Sequence, residues 1–162
     1  MSPVRNTPDC IASVVHKLAD ADIACLLFGG WAEEALGLAP PCPHKDIDLL
    51  LQASSFDAVD RLLCRSHELE EMAGKRFAHK RAFMFDTVMV EITLVQMEGG
   101  IPVTWFWGDV RFAWSTPLSE ICDLGGHRLP AASRENLRHH RINHRQTEPW
   151  RWRDPASLIV RA

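Results

Sequence analysis

The sequence predicts an α+β fold, with a mixed or mostly antiparallel sheet flanked by helices. Three observations carry that expectation. Apolar residues recur at helical spacing near both ends of the chain, and short strand-like runs fill the middle. The two kinds of segment do not alternate in the strict order of a parallel βαβ sheet. Glu98-Gly99-Gly100 also reads as a hairpin turn between two such runs.

The elements follow in order. Thr7 offers a capping hydroxyl and Pro8 a residue whose missing N–H costs little at a helix start. Ile11, Val14, Val15 and Leu18 continue at helical spacing, predicting a helix to about Ala21. Ala24 to Phe28 reads as a buried strand ended by Gly29-Gly30, and Trp31 to Leu36 as a brief helix closed by Gly37. Prolines at 40, 41 and 43 make residues 38–45 a loop. Asp46 to Gln52 is the second strand, and Ser54 or Ser55 caps a helix carrying Phe56, Val59, Leu62 and Leu63. Polar, alternating segments follow at 75–79, 81–85 and 88–96, and the hairpin leads into Ile101 to Trp107. A short helix near Leu118 to Cys122 and a turn at Gly125-Gly126 precede a last helix, capped by Ser133 with Glu135 nearby and running to about His144. Residues 145–162 are rich in tryptophan and arginine and carry no assigned element.

A length of 162 residues suits one domain, with a core at 24–96 and a C-terminal helix and basic tail at 133–162. The net charge of −3 argues against a uniformly basic nucleic-acid binder. No apolar run approaches the ~20 residues of a membrane span, and the N-terminus lacks a signal-peptide layout. Five cysteines, an odd number without paired spacing, argue for a reducing compartment. The expectation is a cytoplasmic protein.

Chemistry concentrates in three places. Asp46 and Asp48 alternate with Ile47, so both project from one strand face. Two carboxylates so close repel, and a magnesium ion, which takes one or two carboxylates and leaves its other positions to phosphate and water, is their natural partner. A solvated strand edge is the plainer alternative. Gly29-Gly30 lets backbone N–H groups approach phosphate oxygens, or is simply a tight turn. Glu91 interrupts the apolar strand 88–95; it either faces outward or completes a three-acid metal site from a neighbouring strand.

Taken together, Gly29-Gly30-Trp-Ala-Glu-Glu-Ala-Leu-Gly37, the proline loop and His44-Lys-Asp46-Ile-Asp48-Leu resemble the nucleotidyltransferase superfamily related to DNA polymerase β. The likeness is nearest to the small antibiotic enzymes of the lincosamide and aminoglycoside 2″-adenylyltransferase type, and it is concentrated in residues 24–52. It implies a minimal nucleotidyltransferase fold, with Asp46, Asp48 and Glu91 as catalytic and metal-binding acids; many relatives have aspartate at the third position. It implies nucleotide contacts from Gly29, Gly30, Trp31 and Lys45. Glu135-Asn-Leu137-Arg-His-His140-Arg141 resembles a late helix whose basic residue reaches the phosphates, which adds Arg141. The implied reaction moves a nucleoside monophosphate from ATP or another nucleoside triphosphate, with two magnesium ions, to a hydroxyl of a small acceptor.

The acceptor is poorly written in the sequence. Glu33, Glu34, Asp86, Glu98, Asp109 and Glu120 could face a polycationic aminoglycoside, while Trp105, Trp107 and Trp114 could wall a less charged molecule. Other readings compete. Arginines from Arg134 to Arg153, interleaved with Trp150 and Trp152, allow a toxin or antitoxin component acting on RNA or protein. A non-catalytic nucleotide-binding module is another, and a zinc site using His139, His140 and His144 ranks last. A core this small with exposed tryptophans could also form a homodimer.

Overall fold

The computed structural model describes residues 6–148. Thr7 caps the first helix, α1 (Pro8–Asp20), through a hydrogen bond from the Cys10 N–H. Strand β1 (Cys25–Phe28) runs straight into α2 (Gly29–Ala35). The helix therefore begins at the glycine pair, two residues earlier than its apolar pattern predicts. Its last helical residue is Ala35, one short of the expected Leu36, and the chain turns away as expected at Gly37, which has φ +72°. There the Gly37 and Leu38 N–H groups return to the Glu34 and Glu33 carbonyls.

The loop 38–45 delivers the chain to β2 (Asp46–Gln52). Next is α3 (Asp57–Arg65), where the Ser55 hydroxyl accepts from the Asp57 N–H while Phe56 occupies the cap position. A short β3 (Leu69–Glu71), not foreseen in the sequence, precedes a 3₁₀ turn at Ala73–Lys75. That turn replaces part of the extended segment expected at 75–79. Then come β4 (Lys80–Phe85), β5 (Val88–Glu98), β6 (Ile101–Phe106), β7 (Val110–Ala113), β8 (Ser119–Leu124) and β9 (His127–Ala132). The chain finishes its described part with α4 (Arg134–Ile142) and α5 (His144–Thr147).

Residues 119–122, expected in a short helix, are strand. Leu118, Ile121 and Cys122 mimic helical spacing, but β8 buries Cys122 and Leu124 and pairs with β9 across the Gly125-Gly126 turn. Pairing with a partner strand outweighed the local pattern. The helix expected from Ser133 to about His144 is α4; Ser133 caps it through the Asn136 N–H, it ends at Ile142 with Asn143 as its C-cap, and α5 follows.

The strands join in the order β3-β4-β5-β2-β1-β9-β8, with β6 and β7 extending from the far half of β5. β2 pairs β5 in parallel and β1 antiparallel, and β1 pairs β9 in parallel. The sheet is therefore mixed. The central strands are buried on both faces beyond Asp48, as Leu49, Leu50, Ile92 and Val95 have no exposure. All five cysteines are free. No helix among the described residues is long and apolar enough to cross a membrane.

Candidate active site

Two registers assemble the site. Phe28, the last residue of β1, pairs with Asp48 across the antiparallel β1–β2 ladder. The next residue, Gly29, therefore turns the chain directly over the Asp48 side chain. Gly29 has φ +65°, and a Cβ there would lie 2.5 Å from Asp48 Oδ2. Only glycine both adopts this backbone and leaves the carboxylate its place. At Gly30 the backbone is ordinary and only space is at issue: His44 Nδ1 would lie 2.7 Å from an added Cβ.

On the other side of β2, Asp48 pairs in register with Glu91 of β5. Residues at one register on adjacent strands face the same way, and so do their i±2 neighbours. Thr93 follows Glu91 on that face, and Lys80 of β4 pairs with Thr93. A row of polar side chains thus crosses three neighbouring strands. Asp46, Asp48, Lys80, Glu91 and Thr93 line a cavity of about 350 Å³, together with Gly29 and Gly30. Glu33, Arg141 and His140 line it from α2 and α4.

Glu91 lines this cavity but does not join Asp46 and Asp48 in a three-acid cluster. Lys75 Nζ donates to its Oε1 at 2.7 Å and Lys80 Nζ to its Oε2 at 3.1 Å. Among the described residues, no three acidic, histidine or cysteine side chains are grouped closely enough to hold one ion. The Glu91 side chain is only 13% exposed, and burial opposes its charge. The two ammonium groups outweigh that burial, so its carboxyl is held below the ordinary glutamate range.

Lys80 itself is almost fully buried, and its ammonium also lies 5.9 Å from the centre of the Trp107 ring. Beneath it, His79 accepts the Trp107 N–H at Nδ1 over 3.0 Å, while its Nε2 is buried without a partner. Burial, with Lys80 adding to it, pushes the His79 imidazole down to about 4.

The other expected contacts divide. Arg141 lines the cavity, with its guanidinium bound to both Glu33 oxygens at 2.6 and 2.7 Å. Trp31 is a scaffold residue instead. Its Nε1–H donates to Asn6 Oδ1, and Asn6 Nδ2 donates to the His44 and Asp46 carbonyls. This chain of bonds fixes the start of β2 and hence Asp46. Lys45 is exposed and is not among the cavity's lining residues. It stands in the bend just before β2, outside the strand whose alternation directs Asp46 and Asp48.

Several of the acids considered for the acceptor are bonded to neighbouring side chains. Glu34 accepts from His44, Glu98 from Trp105 and Arg111, and Glu120 from Arg134. Trp114 is core, donating to Thr104 Oγ1. Trp150, Trp152, Arg151, Arg153 and Asp154 lie outside the described residues. Sequence reasoning missed Lys75, Lys80 and Thr93, since nothing local to residues 75–93 reveals which of them share a face with Asp48. The alternation of 80–85 was visible, but its register against β5 was not.

No protein-family model matches the chain, and no curated protein matches it in sequence. Solved structures do match. The lincosamide antibiotic adenylyltransferase LnuA with lincomycin bound is 13% identical with a TM-score of 0.65, over 90% of this chain and 96% of that one. The antibiotic-resistance factor ANT(2'')-Ia in solution is 11% identical with a TM-score of 0.66, over 87% and 72%. An antigenic nucleotidyltransferase-like protein from Paracoccidioides brasiliensis is 19% identical with a TM-score of 0.52, over 99% and 79%. The chain therefore has the nucleotidyltransferase fold. Antibiotic adenylyltransferases are among its structural neighbours.

Proposed function

We propose that this protein is a metal-dependent nucleotidyltransferase that moves AMP from ATP, or the equivalent group from another triphosphate, to a hydroxyl of a small acceptor such as an aminoglycoside or lincosamide. The observation that carries this reading is the Gly29–Asp48–Glu91 alignment, in which two strand registers bring a glycine corner and carboxylates from separate segments to one cavity.

Asp46 and Asp48 fit a magnesium ion: two hard oxygen donors on one strand face, with the space for Asp48 kept open by Gly29. When bound, the ion neutralises triphosphate charge and draws electron density from the α-phosphorus. Gly29 and Gly30 present backbone N–H groups beside that position. Arg141 exchanges Glu33 for a phosphate oxygen. The acceptor hydroxyl oxygen bonds to the α-phosphorus as the bond to pyrophosphate breaks, and the hydroxyl proton passes to Glu91, which its lysine partners keep ionised. Glu33 and Glu148 add negative charge to the cavity wall, which favours an acceptor bearing amino groups.

The experiment is incubation with α-phosphate-labelled ATP or GTP and magnesium over a panel of aminoglycosides, lincosamides, RNA and proteins. Label on a small hydroxylated compound supports the reading. Label only on RNA or protein replaces the acceptor class, and no transfer to any of them overturns the reading.

A further inference from the structure

The cavity has carboxylates on its β2 side and ammonium groups on its β4 side, with Glu91 between them. A second metal ion held by Glu91 would have to sit beside two ammonium ions already bonded to that carboxylate's two oxygens. Like charges at that separation repel, and both oxygens would first have to be released. The two lysines differ in how firmly they are fixed. The Lys75 side chain is 41% exposed and stands on a 3₁₀ turn. Lys80 is on a strand within the sheet, its side chain only 11% exposed, between Glu91 and the Trp107 ring. An ammonium carries three N–H donors. With Glu91 holding one of them, Lys80 keeps the capacity to donate to a phosphate or acceptor oxygen in the cavity it lines.

We propose that this cavity works with a single divalent ion on Asp46 and Asp48, and that the Lys80 ammonium, oriented by Glu91, supplies the positive charge that a second ion would otherwise bring to the β4–β5 side. Glu91, the proton acceptor of the reading above, then also orients Lys80 and is not a metal ligand. The inference rests on the nucleotidyltransferase reading above and concerns how that site is charged.

The test counts ions directly. Manganese binding is titrated by electron paramagnetic resonance in the presence of a non-hydrolysable ATP analogue. The wild-type chain should bind one manganese ion. The Lys75→Met/Lys80→Met double variant, which frees both Glu91 oxygens, should bind two. Glu91→Gln should bind one, with affinity within about twofold of wild type, whereas loss of even an outer-shell partner of a metal ligand costs on the order of tenfold or more. Two ions on the wild-type chain, a double variant still at one, or a tenfold loss in Glu91→Gln would each overturn the inference and leave the nucleotidyltransferase reading standing. Should the double variant not fold, the wild-type count and Glu91→Gln decide. No manganese bound with the nucleotide would overturn the reading itself, and this inference with it.

Discussion

Gly29 has no side chain where Asp48 has its carboxylate: a Cβ on the one would stand 2.5 Å from Oδ2 of the other. The glycine pair is thus a packing requirement of the aspartate as well as an approach route for phosphate. Gly29→Ala must also hold φ +65° with a Cβ. The expected loss is on the order of 2 kcal/mol in stability, with turnover abolished because Asp48 is displaced. Gly30→Ala pushes only on the His44 ring, so it should cost less in both. Urea denaturation and label transfer on the two variants check this. Equal activity in Gly29→Ala and wild type would contradict it.

Glu91 and its lysines make a coupled group. Glu91→Met leaves the buried Lys80 ammonium without its carboxylate and should destabilise by about 3 kcal/mol. Adding Lys80→Met should recover most of that loss, since the pair is then replaced by apolar side chains. A double-mutant cycle by chemical denaturation measures the coupling; additive losses would show that the pair does not interact.

The pH dependence of stability should have two separate parts. Unfolded His79 takes up a proton near 6.5, while the folded one does so only near 4. Stability should therefore fall as pH drops from about 6.5 to about 4, by roughly 3 kcal/mol in all. Glu91 acts lower. Its folded value is depressed, so its contribution is complete above the ordinary glutamate range and is lost as pH falls below it. Denaturation curves between pH 7 and 4 should flatten in His79→Gln. An unchanged slope in that variant would place the proton elsewhere.

Arg141 and Glu33 join α4 to α2 across the cavity wall. The Arg141 side chain is 60% exposed but that of Glu33 only 15%, so Glu33→Gln should change stability by less than about 1 kcal/mol while Arg141→Ala, which leaves the carboxylate unpaired, should cost about 1–3 kcal/mol. Their effects on nucleotide should be opposite. Arg141→Ala should weaken binding of an ATP analogue by roughly tenfold, the worth of one charge-assisted hydrogen bond, while Glu33→Gln, which frees the guanidinium, should strengthen it. Calorimetric titration distinguishes these outcomes, and a parallel fall in both variants would refute the exchange.

Much of this site is legible in the chain because its parts lie close together in sequence. Residues 24–52 contain the strand, the glycine corner, the proline loop and the Asp46–Asp48 face, and each has a local signature. Glu91 could be singled out because an acid interrupts an apolar strand. Its partners could not. Lys80 reaches Glu91 only through the β4–β5 register, and a one-residue slip would send it to the opposite face. Strands β8 and β9 were hidden for a related reason, since β9 is placed by parallel pairing of Ala131 with Leu27, over a hundred residues away. Trp31 looked like a ligand contact because it sits within the motif. Its indole N–H instead holds Asn6, a bond between residues with no shared local pattern.

The most direct measurement is calorimetric titration of a non-hydrolysable ATP analogue into wild-type protein and Asp48→Asn, each with magnesium and with a chelator. The expected result is binding by the wild-type chain only when magnesium is present, and its loss in Asp48→Asn with the fold intact by circular dichroism. Equal binding with and without magnesium, or by both proteins, would contradict a metal–nucleotide site at the Asp46–Asp48 face.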